Sequence, residues 1–373
     1  KINKHLEEGR SLFNQDSYRG YKEALEHYLA IVELDGSHPE ALARGAFICA
    51  VLSGEFNHKS IKAGEKTVKT IDKGSQLLGK AMAAEQDSNM LVAARALITV
   101  YGAGNSNEAI KQLEEALRQN PDSAVINTTL GLIQLRKGNL IEARGHLEKG
   151  AAQSDVRALV GLGAYAMRRS MYQQAARAYN RALQIDRGHV GALLGKTLAA
   201  LAWGDKHMHT KEAEDNLQRF KNEFAKNASE PEKRTAEFIE IVLKSRDRKT
   251  RRAGFSQLKD FLKSKGSKPV YQFIAAREYR RNNKLKVAKE AIGKALRLDA
   301  TRPDFLLEEA YVYLALRDWE GARSRAMRLR ETDPDCGRCM LIVGDAYFGE
   351  KNYDKAKQTY LEATRLEAVA AEA

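Results

Sequence analysis

Small residues recur along this chain at a spacing that few folds can accommodate. Gly131, Ala143 and Gly150 stand 12 and then 7 positions apart. The same interval returns at Gly163, Ala175 and Ala182, at Ala276, Ala288 and Ala295, and at Gly344, Ala356 and Ala363. Ala310 and Ala322 repeat it with Leu329 in third place, and in most units a larger side chain follows four positions after the second member: Leu147, Tyr179, Ile292, Tyr360. The last three units begin 34 residues apart, at Ala276, Ala310 and Gly344. A period of this length marks stacked supersecondary units.

The spacing has a steric cause. Two antiparallel helices joined by a short turn approach closely only where small side chains let ridges settle into grooves. One small residue in the first helix and two in the second, seven apart on one face, make such a crossing. Turn signals lie between the helices at RKGNLIEA, RNNKLKVA and EKNYDKA, and stops lie between units at NPDS and TDPD, where Pro cannot continue the helix behind it.

The blocks LGLIQLRKGNLIEARGHLEKG, EEAYVYLALRDWEGARSRA and VGDAYFGEKNYDKAKQTYLEA resemble the tetratricopeptide repeat family, whose unit is a helix-turn-helix of 34 residues. The resemblance covers 90–205 and 270–366 and implies an all-α fold, a right-handed α-solenoid of about ten helix-turn-helix repeats. Several units depart from the pattern. In the first, Gly9, Ala24, Tyr28 and Ile31 fit only with three residues inserted near Asp16–Gly20. The second begins at Gly45 and leaves the register through Ser53–Gly74, where a long loop or an extra short helix is expected. The sixth has about four extra residues around WGDKHMHT, and the seventh, over 232–265, puts Phe261 where a small residue belongs. Three regions are therefore expected: N-terminal repeats with a long insertion over 1–86, a central array over 87–230, and a C-terminal array with a basic atypical repeat over 231–373.

In this family the first helix of each unit lines a concave groove where ligands bind. Carried onto this chain, the inward positions include Val125, Thr128, Leu132, Leu135 and Arg136, then Arg157, Val160, Met167 and Arg168, then Leu194, Leu198 and Leu201. Farther on they include Phe273, Arg277, Arg280 and Arg281, then Leu307, Tyr311 and Leu314, then Arg338, Leu341, Asp345 and Phe348. Chaperone-binding members of the family hold a terminal carboxylate with Lys and Asn, and here those positions are mostly apolar, so that role is not expected. Apolar and aromatic side chains flanked by Arg suit an amphipathic helix or extended peptide with acidic flanks. For any one of the leucines, the plainer reading is filling between repeats.

The chain carries 62 Lys and Arg against 49 acids, a net charge of +13, which favours acidic surfaces, anionic lipid or nucleic acid without choosing among them. Twelve basic residues against five acids fall within 232–268, densest at Lys244, Arg246, Arg248, Lys249, Arg251 and Arg252, a predicted turn. Such a loop could engage phosphates with steep salt dependence. No aromatic residues interleave it, as a single-strand surface would want, and the plain reading is a solvated loop; docking to an acidic protein or membrane surface comes next and nucleic acid last.

The remaining signals carry little chemistry. Cys336 and Cys339 form a C-x-x-C without the second pair that zinc needs, at the start of a helix and not in the strand context of a redox enzyme. Asp205, His207 and His209 make a loose cluster in an insertion. Gly195-Lys196-Thr197 lacks the upstream glycine of a phosphate loop, with Val190 in its place. No nucleophile elbow or zinc-protease motif occurs. The sequence predicts a non-enzymatic interaction scaffold or adaptor, with no cofactor and no metal, and resemblance suggests a bacterial assembly, envelope or motility complex as its setting. The alternative is a nucleic-acid or anionic-surface binder acting through 244–252. With 43% apolar and 30% charged residues among 373, and three cysteines, the composition excludes collagen, a disordered tail and a disulfide scaffold. No apolar run approaches the roughly 20 residues of a membrane span. The first residues, KINKHLEEGR, have neither an initiator Met nor a charged-then-apolar leader, so a trimmed chain is expected and its start says nothing of compartment. Separately, a soluble chain is expected, with the cytoplasm slightly ahead of the periplasm.

Overall fold

Each triplet of small residues becomes a pair of packed helices. The computed structural model describes residues 1–63, 66–84, 88–203, 207–266, 268–300 and 302–372, and these form twenty α-helices and one short β-hairpin. The first pairs are α1 (Ile2–Phe13) with α2 (Tyr18–Leu34), α3 (Pro39–Gly54) with α4 (Thr70–Ala83), and α5 (Asn89–Ala103) with α6 (Ser106–Gln119). Next come α7 (Ala124–Lys137) with α8 (Leu140–Ala152), α9 (Val156–Arg168) with α10 (Tyr172–Ile185), and α11 (Val190–Trp203) with α12 (His207–Arg219). The last four are α13 (Glu230–Arg246) with α14 (Arg251–Ser264), α15 (Pro269–Arg281) with α16 (Leu285–Leu298), α17 (Pro303–Ala315) with α18 (Trp319–Thr332), and α19 (Gly337–Gly349) with α20 (Tyr353–Glu372). The expected helical-repeat architecture of about ten hairpins is what the chain adopts.

The interval between the small residue of the first helix and the large one of the second is a contact. A Cβ placed on Gly131 would stand 2.7 Å from Leu147 Cγ, one on Gly163 2.6 Å from the Tyr179 ring, and one on Gly344 2.5 Å from the Tyr360 ring. No real Cβ tolerates such distances, so each large side chain occupies the volume its glycine vacates. Tyr179 also fills the slot at Gly195, where a Cβ would lie 2.6 Å from its ring, and so one side chain joins α10 to the first helices of two successive hairpins. The displaced first unit obeys the same rule: Gly9 meets Tyr28 across the three-residue insertion, at 3.2 Å from a built Cβ. Gly45 meets Leu77 at 3.0 Å across the much longer one.

The turn inside a hairpin needs one residue in the left-handed region. Gly138 takes it at φ +93° and Gly104 at +71°, whereas Ser170, Asn283, Arg317 and Lys351 take it without being glycine, at φ between +54° and +63°. The turn closes with hydrogen bonds back into the helix, as where the Gly138 and Asn139 N–H groups donate to Leu135 O and Gln134 O at 3.1 and 3.0 Å.

The helices group into two units by their contacts: residues 1–166, 171–200 and 211–237 in the first, and 167–170, 201–210 and 238 onward in the second. The core of the first unit runs from Tyr21, Tyr28 and Ile31 through Phe47 and Leu52 to Leu77 and Leu97. In the second, Leu306, Ala310, Ala322, Ala326, Leu329, Cys339 and Ile342 form a comparable cluster.

Three departures have local causes. The segment expected as a loop or extra helix holds an antiparallel hairpin, β1 (Ser60–Ala63) and β2 (Lys66–Lys69), pairing Ile61 with Val68; the alternation of Lys with β-branched residues favours extended backbone over helix. In the seventh pair, the close approach moves to Gly254, whose added Cβ would lie 2.5 Å from Ser245 N. That frees Phe261 to pack on Phe238 and Tyr271, with ring centroids 5.5 Å apart in both cases. Of the insertion in the sixth, residues 204–206 lie outside the described residues, Asp205 among them, and the side chain of His207 likewise; His209 is buried and stacked on Trp203 at 4.4 Å.

Candidate functional site

The inward arginines of the second unit are held by buried acids. Glu278 on α15 and Glu308 on α17 are 1% and 3% exposed, and burying such a charge is costly unless it is paired. Each takes two guanidiniums. Arg246, from the end of α13, donates to Glu278 through Nε at 3.2 Å and to Leu201 O at 2.6 Å, and Arg281 reaches Glu278 at 3.1 Å. Arg280 grips Glu308 with two hydrogen bonds of 2.7 and 3.2 Å, the paired fork that fixes a guanidinium in plane, while Arg277 stands 3.5 Å from the same carboxylate. Tyr311 lies half-buried beside them, with Arg280 5.3 Å from its ring centre. Burial raises the Tyr311 phenol above its ordinary range, while Arg338 and Arg280 pull the other way. Around this ring Arg277, Arg280 and Arg338 outnumber Glu308, so the face carries a fixed positive surplus on an aromatic floor.

The first unit presents a different feature, a cavity of about 410 Å³ lined by Phe13, Tyr21, Phe47, Val125, Thr128, Asp155 and Arg157 among others. Asp155 precedes α9 and caps it, accepting from the Ala158 N–H at 3.1 Å and from the Thr128 hydroxyl at 2.9 Å. Burial and the charge of Asp16 raise the Asp155 carboxyl, against the Ala158 N–H and Arg157, which favour its ionised form. Arg157 lies between Asp16, at 3.6 Å, and Glu55, with its guanidinium 5.1 Å from the Phe47 ring centre. Burial works against its charge, but Glu55, Tyr21, Asp16 and Asp155 together hold it protonated. The Tyr21 hydroxyl donates to Asp16, and His189 Nε2 stands 3.2 Å from the other Asp16 oxygen. The Ala192 N–H donates to His189 Nδ1 at 3.0 Å, which leaves Nε2 as the donor to Asp16. Burial lowers the pKa of His189 and the Asp16 bond raises it, the raising effects winning. The whole cluster is a closed set of mutual partners.

The residues read from the sequence as inward-facing separate into groups. Met167, Leu201 and Phe273 are 6%, 1% and 1% exposed and belong to the core. Arg157 is engaged in the cluster just described. Arg168 faces Asp299 at 3.7 Å and Leu198 is half-buried. Arg277, Arg280 and Tyr311 come together as described, with Leu314 half-buried on the same helix as Tyr311. Arg338 is exposed and donates to Ser170 O at 3.1 Å. Phe348, on the last hairpin, is 58% exposed and packs edge-on against Tyr353 at 5.4 Å. Of the basic stretch, the Arg246 side chain is 7% exposed and Lys244 pairs with Glu240 at 3.0 Å, while Arg248, Lys249, Arg251 and Arg252 are exposed. Cys336 and Cys339 are joined by a disulfide at the start of α19. The acids Glu278 and Glu308 escaped the sequence reading; their signal was a carboxylate inside otherwise apolar or basic first helices, in REYRR and LLEEAY.

Residues 96–155, 129–190 and 307–371 match the family model of the tetratricopeptide repeat. These segments carry tetratricopeptide repeats, set within an all-α helical-repeat fold. Among solved structures it resembles the human IFIT1 dimer with PPP-AAAA, at 17% identity over 94% of this chain and 70% of that one, with a TM-score of 0.45. Yeast Tom70 is similar at 13% identity over 93% and 82% of the two chains, TM-score 0.39. No curated protein matches the sequence. Among the described residues, no helix is long and apolar enough to cross a membrane.

Proposed function

We propose that the chain is a non-enzymatic scaffold that holds a peptide or helical segment of a partner protein along the first helices of its repeats, with acidic residues flanking the apolar anchors of that segment. The observation that carries this reading is the arginine surplus around Tyr311, where acid-anchored guanidiniums border a half-buried ring and Leu314. Fixed cations beside an aromatic floor complement an apolar anchor with carboxylates on either side. A setting in a bacterial assembly, envelope or motility complex is an analogy from the repeat class.

The test is capture of partners by wild type and by a Tyr311→Ala, Arg338→Glu double variant, which leaves both acid–arginine trios untouched. Capture is expected to fall at least tenfold, roughly the effect of removing one aromatic anchor and one charge from an interface, with helical content and melting temperature unchanged. Undiminished capture by a folded variant would refute the site. A second reading, engagement of an anionic surface, is favoured by four exposed cations, Arg248 and Lys249 in the turn before α14 and Arg251 and Arg252 at its start.

A further inference from the structure

Helix α1 packs on the first core through the partly buried Ile2, Leu6, Leu12 and Phe13, Gly9 is its one fully buried residue, and Lys1 before it provides no side-chain cap. Where α1 meets α2, three metal-ligating side chains converge. His5 and Glu8 lie one turn apart on α1, and His27 comes from α2. The two Nδ1 atoms of His5 and His27 are 3.0 Å apart, Glu8 Oε2 is 3.4 Å from His27 Nδ1, and one donor atom from each residue falls within 4.8 Å of the others.

Those separations suit a shared ion. Ligand atoms about 2.0–2.2 Å from a tetrahedral zinc stand roughly 3.3 Å from one another, close to the two shortest separations here. Two imidazoles and a carboxylate form a donor set that suits zinc and its transition-metal neighbours rather than magnesium or calcium. Glu8 otherwise faces Lys4 at 3.9 Å, an exposed contact of little consequence. The geometry points to a divalent metal of the zinc class bound by His5, Glu8 and His27, clipping α1 to α2 with a fourth position left for water. The spacing of the sequence had predicted no metal site, since ligands 22 residues apart on two helices form no local motif. A metal held this way couples binding to folding of the first hairpin, because the ligands meet only when α1 is docked.

The test uses the full chain, stripped of metal by chelation and titrated with cobalt(II), then zinc. One equivalent of cobalt should be taken up with the visible absorption of a four-coordinate ion, and zinc should displace it. Amide exchange along α1 should slow when zinc is bound. His5→Gln and His27→Gln should each weaken uptake at least tenfold, since replacing even a group behind a metal ligand costs about 10–100-fold. His146→Gln, on α8, should leave uptake as it was. The three ligands are partly exposed, so the substitutions spare the hairpin core, and far-ultraviolet circular dichroism verifies that the helices persist. Absence of stoichiometric uptake by wild type, or equally tight uptake by a folded His5→Gln, His27→Gln double variant, overturns the site.

Discussion

His189 caps α11 with one ring nitrogen and reaches Asp16 with the other. Protonation at Nδ1 would give up that cap, but Asp16 favours the charged ring and the pKa is raised in the folded protein, so on balance His189 contributes stability that is present below its unfolded value of about 6.5 and lost as pH rises through the folded value. The urea midpoint is therefore expected to decline as pH rises above about 6.5. His189→Gln should flatten that slope, and an unaltered slope in the variant would show that other groups set it. Little of this cluster could be read from the sequence, because Asp16 and His189 are 173 positions apart. Tyr179 is the opposite case: its recurring place, 16 residues after Gly163, was visible in the sequence, and the structure shows that the interval is a contact.

At the scale of the element, the helical hairpin was legible because its signal is steric and local, repeated with the same offset in unit after unit. The β1–β2 hairpin was not, since four-residue strands carry too short an alternation to be told from a loop. The turns offer a direct check of backbone strain. Lys351 adopts φ +63° at a position that Gly104 and Gly138 fill elsewhere. A left-handed conformation costs a residue bearing a Cβ about 1–2 kcal/mol, while glycine adds flexibility to the unfolded chain. Lys351→Gly is expected to stabilise the last hairpin by about 0.5–1 kcal/mol, measured by chemical denaturation. A loss of stability would mean that the lysine side chain contributes more than the turn costs.

Over the whole molecule, the net charge of +13 was plain from composition, whereas its distribution was not. The basic stretch looked like a single patch in sequence, yet Arg246 turns inward to Glu278, 32 residues on, and leaves the exposed cations to Arg248, Lys249, Arg251 and Arg252. Replacing these four by Gln should reduce retention on an anionic matrix, with a shallower dependence on salt, because each phosphate contact removed lowers the slope by nearly one. Retention equal to wild type at two salt concentrations would remove the anionic-surface reading.

The doubled grip on Glu278 and Glu308 also governs what such a protein can recognise. A guanidinium tethered to an internal carboxylate cannot swing toward a ligand that arrives out of step, since leaving would strand a buried negative charge. Under the scaffold function proposed above, selection would work by position: a partner would have to bring its own charges to places fixed in advance, and one offering the same composition in another order would find no adjustable arm to meet it.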